Sequence, residues 1–227
     1  RDQFYVRLAE NCVAYSWILT AVMAASPVCD SSFVEKGRIG GDLFQGLATV
    51  RCSELGYWNF FAPILDYTSA AAYADSIQSY IDSGMIRYPS ELYYPIRLKN
   101  FGPYSLEGLK EGISHIELRM VDLNPLVRSG IDERDVLFSQ LFLVWAAAQA
   151  PANLTVKDQV QAVQNFKNAA HYDLKTVKIV MPDGTACSVV KAAKRIIDAM
   201  EAFFDDFGTS VHECLAFQRL KFEDPHT

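Results

Sequence analysis

The stretch Ser114-His115-Ile116-Glu117-Leu118-Arg119-Met120 decides how the rest of the chain is interpreted. Its apolar residues alternate with polar and charged ones, and alternate side chains of a β-strand lie on the same face. The stretch therefore predicts a strand with an apolar back and with Glu117 beside Arg119 on its front. Such a front is either solvated or the location of a site.

A second strand is predicted upstream, in Glu91-Leu92-Tyr93-Tyr94-Pro95-Ile96-Arg97. Here Tyr93 and Arg97 share one face, and the other face is mostly apolar. Together the two strands predict a sheet whose front carries tyrosine, glutamate and arginine. A cross-strand ion pair on a solvated face would explain the charges of Glu117 and Arg119 without any function.

Composition limits the class of protein. The chain has 227 residues, of which 50% are hydrophobic and 21% are charged, so it can bury a sizeable core as one large domain or two small ones. A formal net charge of −6 and a pI near 5.2 argue against a nucleic-acid binder. An anionic substrate would have to be held by a few local arginines, because the overall field is negative.

The cysteines and the apolar N-terminal region predict a cytoplasmic protein that does not bind membranes. Five cysteines are widely spread and show no zinc-site spacing, so we expect reduced, buried thiols. Residues 11–29 carry no charge, and their length and apolar composition are close to those of a marginal membrane span. Mixed charges precede them and polar residues interrupt them, which favours a buried helix ended by Pro27.

The remaining patterns predict an α+β fold, with a partial antiparallel sheet followed by a helical C-terminal half. Residues 47–53 alternate as a strand with Arg51 on one face, and Thr68 is the expected N-cap of the next helix. Residues 30–43 are a predicted loop, and residues 177–180 a strand followed by a turn. Helices are predicted over residues 4–25, 69–83, 136–150, 156–170, 189–207 and 211–222.

The polar residues of the predicted strands are typical of phosphoryl transfer to a carboxylate. Arg51 and Arg97 could each grip a carboxylate or phosphate with a two-pronged fork. Tyr57 and Tyr93 could donate hydrogen bonds. Glu117 could help to hold a divalent metal, which prefers carboxylate and phosphate oxygens. In such reactions metals and arginines neutralise charge, and the protein does little covalent chemistry.

Three short segments occur in order along the chain. They are Trp17 with Ala25-Ser26-Pro27; Arg51-Cys52-Ser53-Glu54-Leu55-Gly56-Tyr57; and the two predicted strands followed by Asp122-Leu123-Asn124-Pro125. These segments resemble the bacterial glutamate–cysteine ligases, including the ligase part of bifunctional glutathione synthesis proteins. Ala24 stands where the family has glycine, and Leu126 where it usually has phenylalanine.

The resemblance implies a glutamine-synthetase-like fold, in which an antiparallel sheet curves into a funnel for ATP, metals and amino acids. It implies ATP and Mg²⁺ as cofactors, and glutamate and cysteine as substrates. The glutamate γ-carboxylate takes phosphate from ATP, and the cysteine amine then displaces it to give γ-glutamylcysteine, the first step of glutathione synthesis.

The resemblance also implies roles for five residues. Glu117 matches a metal-ligand glutamate, and Arg119 matches a catalytic arginine that contacts the transferred phosphate. Arg51, Tyr57 and Tyr93 match substrate-binding residues around the cysteine-side pocket. The alternation argument places Glu117 and Arg119 on one face independently of the resemblance.

We expect residues 1–227 to form a single domain that is the C-terminal portion of a ligase catalytic domain. The family's other metal-binding carboxylates and much of its nucleotide site precede the matched segments, so we expect the chain alone to be inactive or to need a second polypeptide. Two alternatives stay open: a related carboxylate–amine ligase with another amine acceptor, and a non-catalytic module that retains the fold.

Overall fold

The computed structural model describes residues 1–28, 46–56 and 58–223. These residues fall into two compact units, one made of Arg1–Ser16, Trp58–Arg119 and Ala146–Val163, the other of Trp17–Tyr57, Met120–Trp145 and Gln164–Thr227. The elements in chain order are α1 (Asp2–Tyr15), α2 (Trp17–Met23), α3 (Ala70–Asp82), a 3-10 turn (Pro89–Glu91), β1 (Ile96–Asn100), α4 (Leu106–Glu111), β2 (Ile113–Leu118), α5 (Glu133–Ala148), α6 (Val156–Asn168), β3 (Lys178–Val180), β4 (Ala186–Ser188), α7 (Val189–Phe203) and α8 (Thr209–Leu220).

The first unit is built around the antiparallel pair β1–β2. Arg97 lies opposite Glu117 in this pair, and Lys99 lies opposite His115. Helices α1 and α4 contact both strands, and α3 contacts α1 and α4. Each element contributes fully buried apolar side chains, among them Ile77, Leu98, Leu109 and Ile113. Burial of this apolar surface holds the strands in a register that fixes which charged residues are neighbours.

The second unit contains the hairpin β3–β4. Its turn places Gly184 at φ +80°, a conformation that favours glycine, and the Asp183 carboxylate accepts the Thr185 N–H at 2.8 Å. Helix α7 contacts both strands and α8. The Ser188 hydroxyl accepts the Lys191 N–H at the start of α7. Local hydrogen bonds in the turn and at the helix cap therefore explain why the hairpin turns at Gly184 and why α7 begins after Ser188.

The predicted α+β class is confirmed, with helices beside small antiparallel sheets. The strand predicted around Glu117 is β2. The strand predicted over residues 91–97 begins only at Ile96, because residues 89–91 form a 3-10 turn and Pro95 cannot donate to a strand ladder. The helix predicted over residues 4–25 is two helices, α1 and α2, separated at Ser16. The other predicted helices are confirmed to within a few residues.

Two local predictions are wrong. Residues 47–53 are no regular strand: Leu47 and Thr49 form isolated bridges, and turns follow from Val50. The N-cap of α3 is Ser69, whose hydroxyl accepts the Ala72 N–H at 3.0 Å. Thr68 instead donates its hydroxyl hydrogen to Asp66. The loop predicted over residues 30–43 lies outside the described residues.

The cysteines were predicted to be reduced and buried, and the apolar N-terminal region to be a buried helix. Cys12, Cys52, Cys187 and Cys214 are buried and reduced, as expected, whereas Cys29 lies outside the described residues. Burial raises the pKa of the Cys52 thiol to about 12, so it stays protonated at neutral pH. None of the helices in residues 1–28, 46–56 and 58–223 combines the length and the apolar composition that a membrane crossing requires.

Candidate active site

The front of the β1–β2 sheet concentrates charge around Glu117. Its carboxylate oxygen Oε2 lies 3.9 Å from Arg97 Nη1, 3.9 Å from Lys99 Nζ and 4.0 Å from Arg119 Nε. The strand register produces this cluster, since Arg97 is directly across from Glu117 and Lys99 follows on the same face. These four residues carry a formal net charge of +2, which suits an anionic ligand.

Several polar atoms of this cluster are buried without a hydrogen bond. Glu117 Oε2, Arg97 Nε and the Tyr104 hydroxyl each lack a hydrogen-bond partner in the described part of the chain. Lys99 Nζ and the Arg97 guanidinium lie 4.4 Å and 5.3 Å from the centre of the Tyr104 ring. A buried unsatisfied polar group typically costs about 1–3 kcal/mol, so these three neighbouring atoms favour a bond to water or to a ligand.

Tyr104 remains a neutral hydrogen-bond donor in this environment. Burial raises the pKa of its phenol; nearby Arg97 opposes the rise, and the Glu117 carboxylate adds to it. Neither Lys99 nor Tyr104 was predicted from the sequence. Alternation along β1 could have identified Lys99, which is two residues after Arg97, whereas Tyr104 lies in a loop where no periodicity applies.

Arg97 differs from its predicted use as a ligand fork. The residue is 6% exposed, and its Nη2 donates to the carbonyl oxygens of Ser90 at 3.0 Å and Leu92 at 2.8 Å. The guanidinium therefore braces the backbone that precedes Tyr93.

Arg119 and Tyr93 lie beside Glu117 in the same unit. Arg119 Nη1 donates to the Leu92 carbonyl at 3.2 Å, and its guanidinium carbon is 6.0 Å from the centre of the Tyr93 ring. The Arg119 N–H donates to the Pro95 carbonyl at 2.9 Å, which extends the strand pairing past the end of β2. The structure thus brings together three of the five predicted site residues: Tyr93, Glu117 and Arg119.

Arg51 belongs to the second unit and is exposed on a turn. The turn is closed by Ser53, whose N–H and hydroxyl both donate to the Val50 carbonyl. Gly56 is required here because a Cβ at that position would overlap the Val50 and Arg51 carbonyl oxygens. The alternation of this segment was misleading, since Ser53 is buried to bond its own turn. Tyr57 lies outside the described residues.

Parts of the three sequence segments meet within the second unit. The buried Asp122 carboxylate accepts the Ala25 N–H at 2.9 Å and the Ser26 hydroxyl at 2.6 Å. The Ser26 carbonyl accepts the Val50 N–H at 2.8 Å, and Cys52 donates its thiol hydrogen to the Met120 carbonyl. Hydrogen bonds therefore join these short polar segments in the fold, which sequence spacing alone does not show.

Glu117 has the chemistry of one metal ligand, not of a complete site. Its Oε2 is buried and unbonded, so it offers an oxygen that a divalent cation could take up. Residues 1–28, 46–56 and 58–223 contain no group of three or more His, Cys, Asp or Glu side chains that could hold a metal. The carboxylate instead faces three cations, so the described residues by themselves fit an anion better than a metal ion.

Two solved structures have a fold similar to that of this chain. The glutamate–cysteine ligase of Francisella tularensis, solved in complex with AMP, superposes with a TM-score of 0.84 over 98% of this chain and 52% of that chain, at 19% identity. A bifunctional glutathione synthetase from Pasteurella multocida superposes with a TM-score of 0.77 over 99% of this chain and 28% of that chain, at 20% identity. At these identities the likeness shows the fold.

Sequence comparison identifies relatives of greater similarity. The bifunctional glutathione biosynthesis protein of Listeria welshimeri is 32% identical over 89% of this chain, and that of Streptococcus mutans is 30% identical over 91%. The chain spans 27% and 26% of their lengths. Residues 62–169 match the glutamate–cysteine ligase family. These matches therefore identify a part of a glutamate–cysteine ligase domain in this chain.

Proposed function

We propose that the protein carrying this chain is an ATP-dependent ligase that joins the γ-carboxylate of glutamate to the amine of cysteine. The product, γ-glutamylcysteine, would enter glutathione synthesis. The observation that carries the proposal is the Glu117 cluster: a buried, unbonded carboxylate oxygen among three cations on the front of a two-stranded sheet. The relatives named above are glutathione biosynthesis proteins, which supports the same reaction.

The cluster is suited to a reaction in which negative charge develops on a phosphoryl group. Arg119 is held from two sides, by the Leu92 carbonyl and by the face of the Tyr93 ring, so its guanidinium is oriented before a substrate arrives. A charge that is already oriented stabilises a transition state without further reorganisation. In this proposal Arg119 contacts the transferred phosphate and Lys99 adds positive charge beside it.

The cofactors proposed are ATP and Mg²⁺. AMP in the Francisella structure supports an adenine nucleotide. Magnesium, when bound, would neutralise phosphate charge. Glu117 would supply one of its oxygen ligands, and the others would come from the part of the ligase domain that precedes the matched segments, as the family resemblance implies. We propose that residues 1–227 form the C-terminal portion of a cytoplasmic ligase domain and are inactive without the rest of it.

Tyr93, Arg51 and Tyr57 are proposed to bind the acceptor amino acid. An arginine fork suits a carboxylate, and a tyrosine hydroxyl can donate a hydrogen bond to it. This assignment to the cysteine side follows the family resemblance.

The experiment that tests the proposal is ADP release by the full-length protein with Mg²⁺, ATP and glutamate, in the presence and absence of cysteine. We expect release that requires both amino acids. Release that depends on glutamate but not on cysteine would indicate another amine acceptor, which 2-aminobutyrate and other amines would then identify. No release under any condition would support a non-catalytic module.

A further inference from the structure

In the short backbone segment before Tyr93, side chains bond the carbonyl groups. The carbonyl of Ser90 accepts from Arg97, that of Glu91 accepts from Asn59 Nδ2 at 2.9 Å, and that of Leu92 accepts from Arg97 and Arg119. Three consecutive carbonyls are thus each bonded by a side chain. Such bonding is unusual for a connecting segment, whose backbone groups commonly bond to water or to other backbone.

Asn59 makes a two-way bracket with this segment. Its Nδ2 donates to the Glu91 carbonyl, while its Oδ1 accepts the Tyr93 N–H at 2.8 Å. Residues 91–93 have no paired strand, because β1 begins only at Ile96. The Asn59 amide makes the two backbone hydrogen bonds that a paired strand would otherwise make. The consequence is that the backbone of Tyr93 is fixed although it lies outside regular structure.

We infer that Asn59 is a positioning residue that sets Tyr93 for the acceptor substrate. Arg97 adds to the same brace through its hydrogen bonds to the Ser90 and Leu92 carbonyls. The inference rests on the proposed function, in which Tyr93 binds the amino acid that attacks the acyl phosphate. Asn59 itself touches no reacting atom in this proposal and acts through the Tyr93 backbone.

A bracket of the same kind, away from the predicted site residues in sequence, exists in the second unit and provides a matched control. Asn165 Nδ2 donates to the Val180 carbonyl at 2.6 Å, and its Oδ1 accepts the Val180 N–H at 2.9 Å. This bracket fixes strand β3, which carries no predicted site residue. Removal of either amide deletes the two side chain–backbone hydrogen bonds described for it, and of these two brackets only that of Asn59 ends at Tyr93.

The test compares Asn59→Ala, Asn59→Asp and Asn165→Ala in the full-length protein, with separate KM values for cysteine, glutamate and ATP. We expect Asn59→Ala to raise the KM for cysteine roughly ten-fold, a loss of the size that hydrogen-bonding changes produce, with the KM for ATP nearly unchanged. Asn59→Asp keeps the acceptor for the Tyr93 N–H, so its KM for cysteine should fall between those of the wild type and Asn59→Ala.

The control variant Asn165→Ala should lower the melting temperature and leave all three KM values unchanged. A lower melting temperature with unchanged KM values in Asn59→Ala would overturn the inference.

Amide hydrogen exchange separates a failure of this inference from a failure of the proposed function. If Asn59 fixes Tyr93, peptides that contain the Tyr93 amide exchange faster in Asn59→Ala than in the wild type, while peptides around Val180 do not change. Equal exchange at Tyr93 in both proteins would overturn the bracing whether or not the wild type releases ADP. Absence of ADP release from the wild type would count against the ligase assignment alone.

Discussion

The two short antiparallel pairs among the described residues, β1–β2 and β3–β4, use charge in opposite ways. At the β3–β4 hairpin, Arg195 of α7 donates to the Asp183 carboxylate at 2.9 Å, and both side chains are exposed. At β1–β2, Glu117 has three cations at 3.9–4.0 Å, and its buried oxygen makes no hydrogen bond within the described residues. The Asp183 carboxylate is already hydrogen-bonded. The Glu117 carboxylate is surrounded by cationic groups that are too far away for hydrogen bonds, and a ligand could bridge these gaps.

The difference shows which acidic residues to examine for function. An exposed close ion pair contributes little and needs no purpose beyond local order. A buried polar atom without a partner is costly, and natural proteins tend to retain such departures at functional sites. The β1–β2 pair therefore carries the candidate site, and the β3–β4 pair serves as its internal reference.

Glu117→Gln in the full-length protein is expected to have the largest effect. The substitution keeps the shape of the side chain and removes its charge, so we expect ADP release to be abolished with little change in the melting temperature. Asp183→Asn is the matched change in the reference hairpin and should leave ADP release intact. A near-normal rate for Glu117→Gln would contradict the proposed metal role.

Arg119→Ala tests the cationic side of the same cluster. Loss of an arginine that stabilises a phosphoryl-transfer transition state costs on the order of a thousand-fold in rate, and we expect a loss of kcat of that size. Arg119→Lys should recover little, because an ammonium group lacks the planar fork of a guanidinium. The measurement is steady-state ADP release at saturating substrates. A decrease of less than about ten-fold, against the expected thousand-fold, would remove Arg119 from the catalytic group.

Sequence periodicity predicted the part of the site that lies on regular strands. The alternation around Glu117 gave the strand, its apolar back and the neighbouring Arg119, and the same rule extended to β1 would have added Lys99. Periodicity did not predict the residues of the site that lie in irregular segments or whose side chains bond to them. Asn59 and Tyr104 act from loops, Arg97 is occupied by the carbonyls of Ser90 and Leu92, and the segment around Arg51 alternates although it forms a turn. Their positions depend on contacts between residues that are distant in sequence, which spacing does not encode.

The smallest expected effects belong to the reference hairpin. Arg195→Ala should leave ADP release unchanged and lower the melting temperature only slightly, because the pair is exposed to solvent. A large loss of ADP release would contradict the comparison, since the hairpin would then be part of the functional machinery.

Acid titration of the same carboxylate gives a finer test. The Thr185 N–H, followed by Arg195 and the Thr185 hydroxyl, holds the pKa of Asp183 at about 2, below the value of about 3.9 for an unperturbed aspartate. The folded state thus favours the ionised carboxylate, and the stability that it contributes is fully present above pH of about 4 and is lost as the pH falls towards 2. Comparison of the wild type with Asp183→Asn by thermal unfolding should show their melting temperatures converging over that interval. A difference that stays constant down to pH 2 would mean that hairpin geometry, not the charge of Asp183, stabilises the turn.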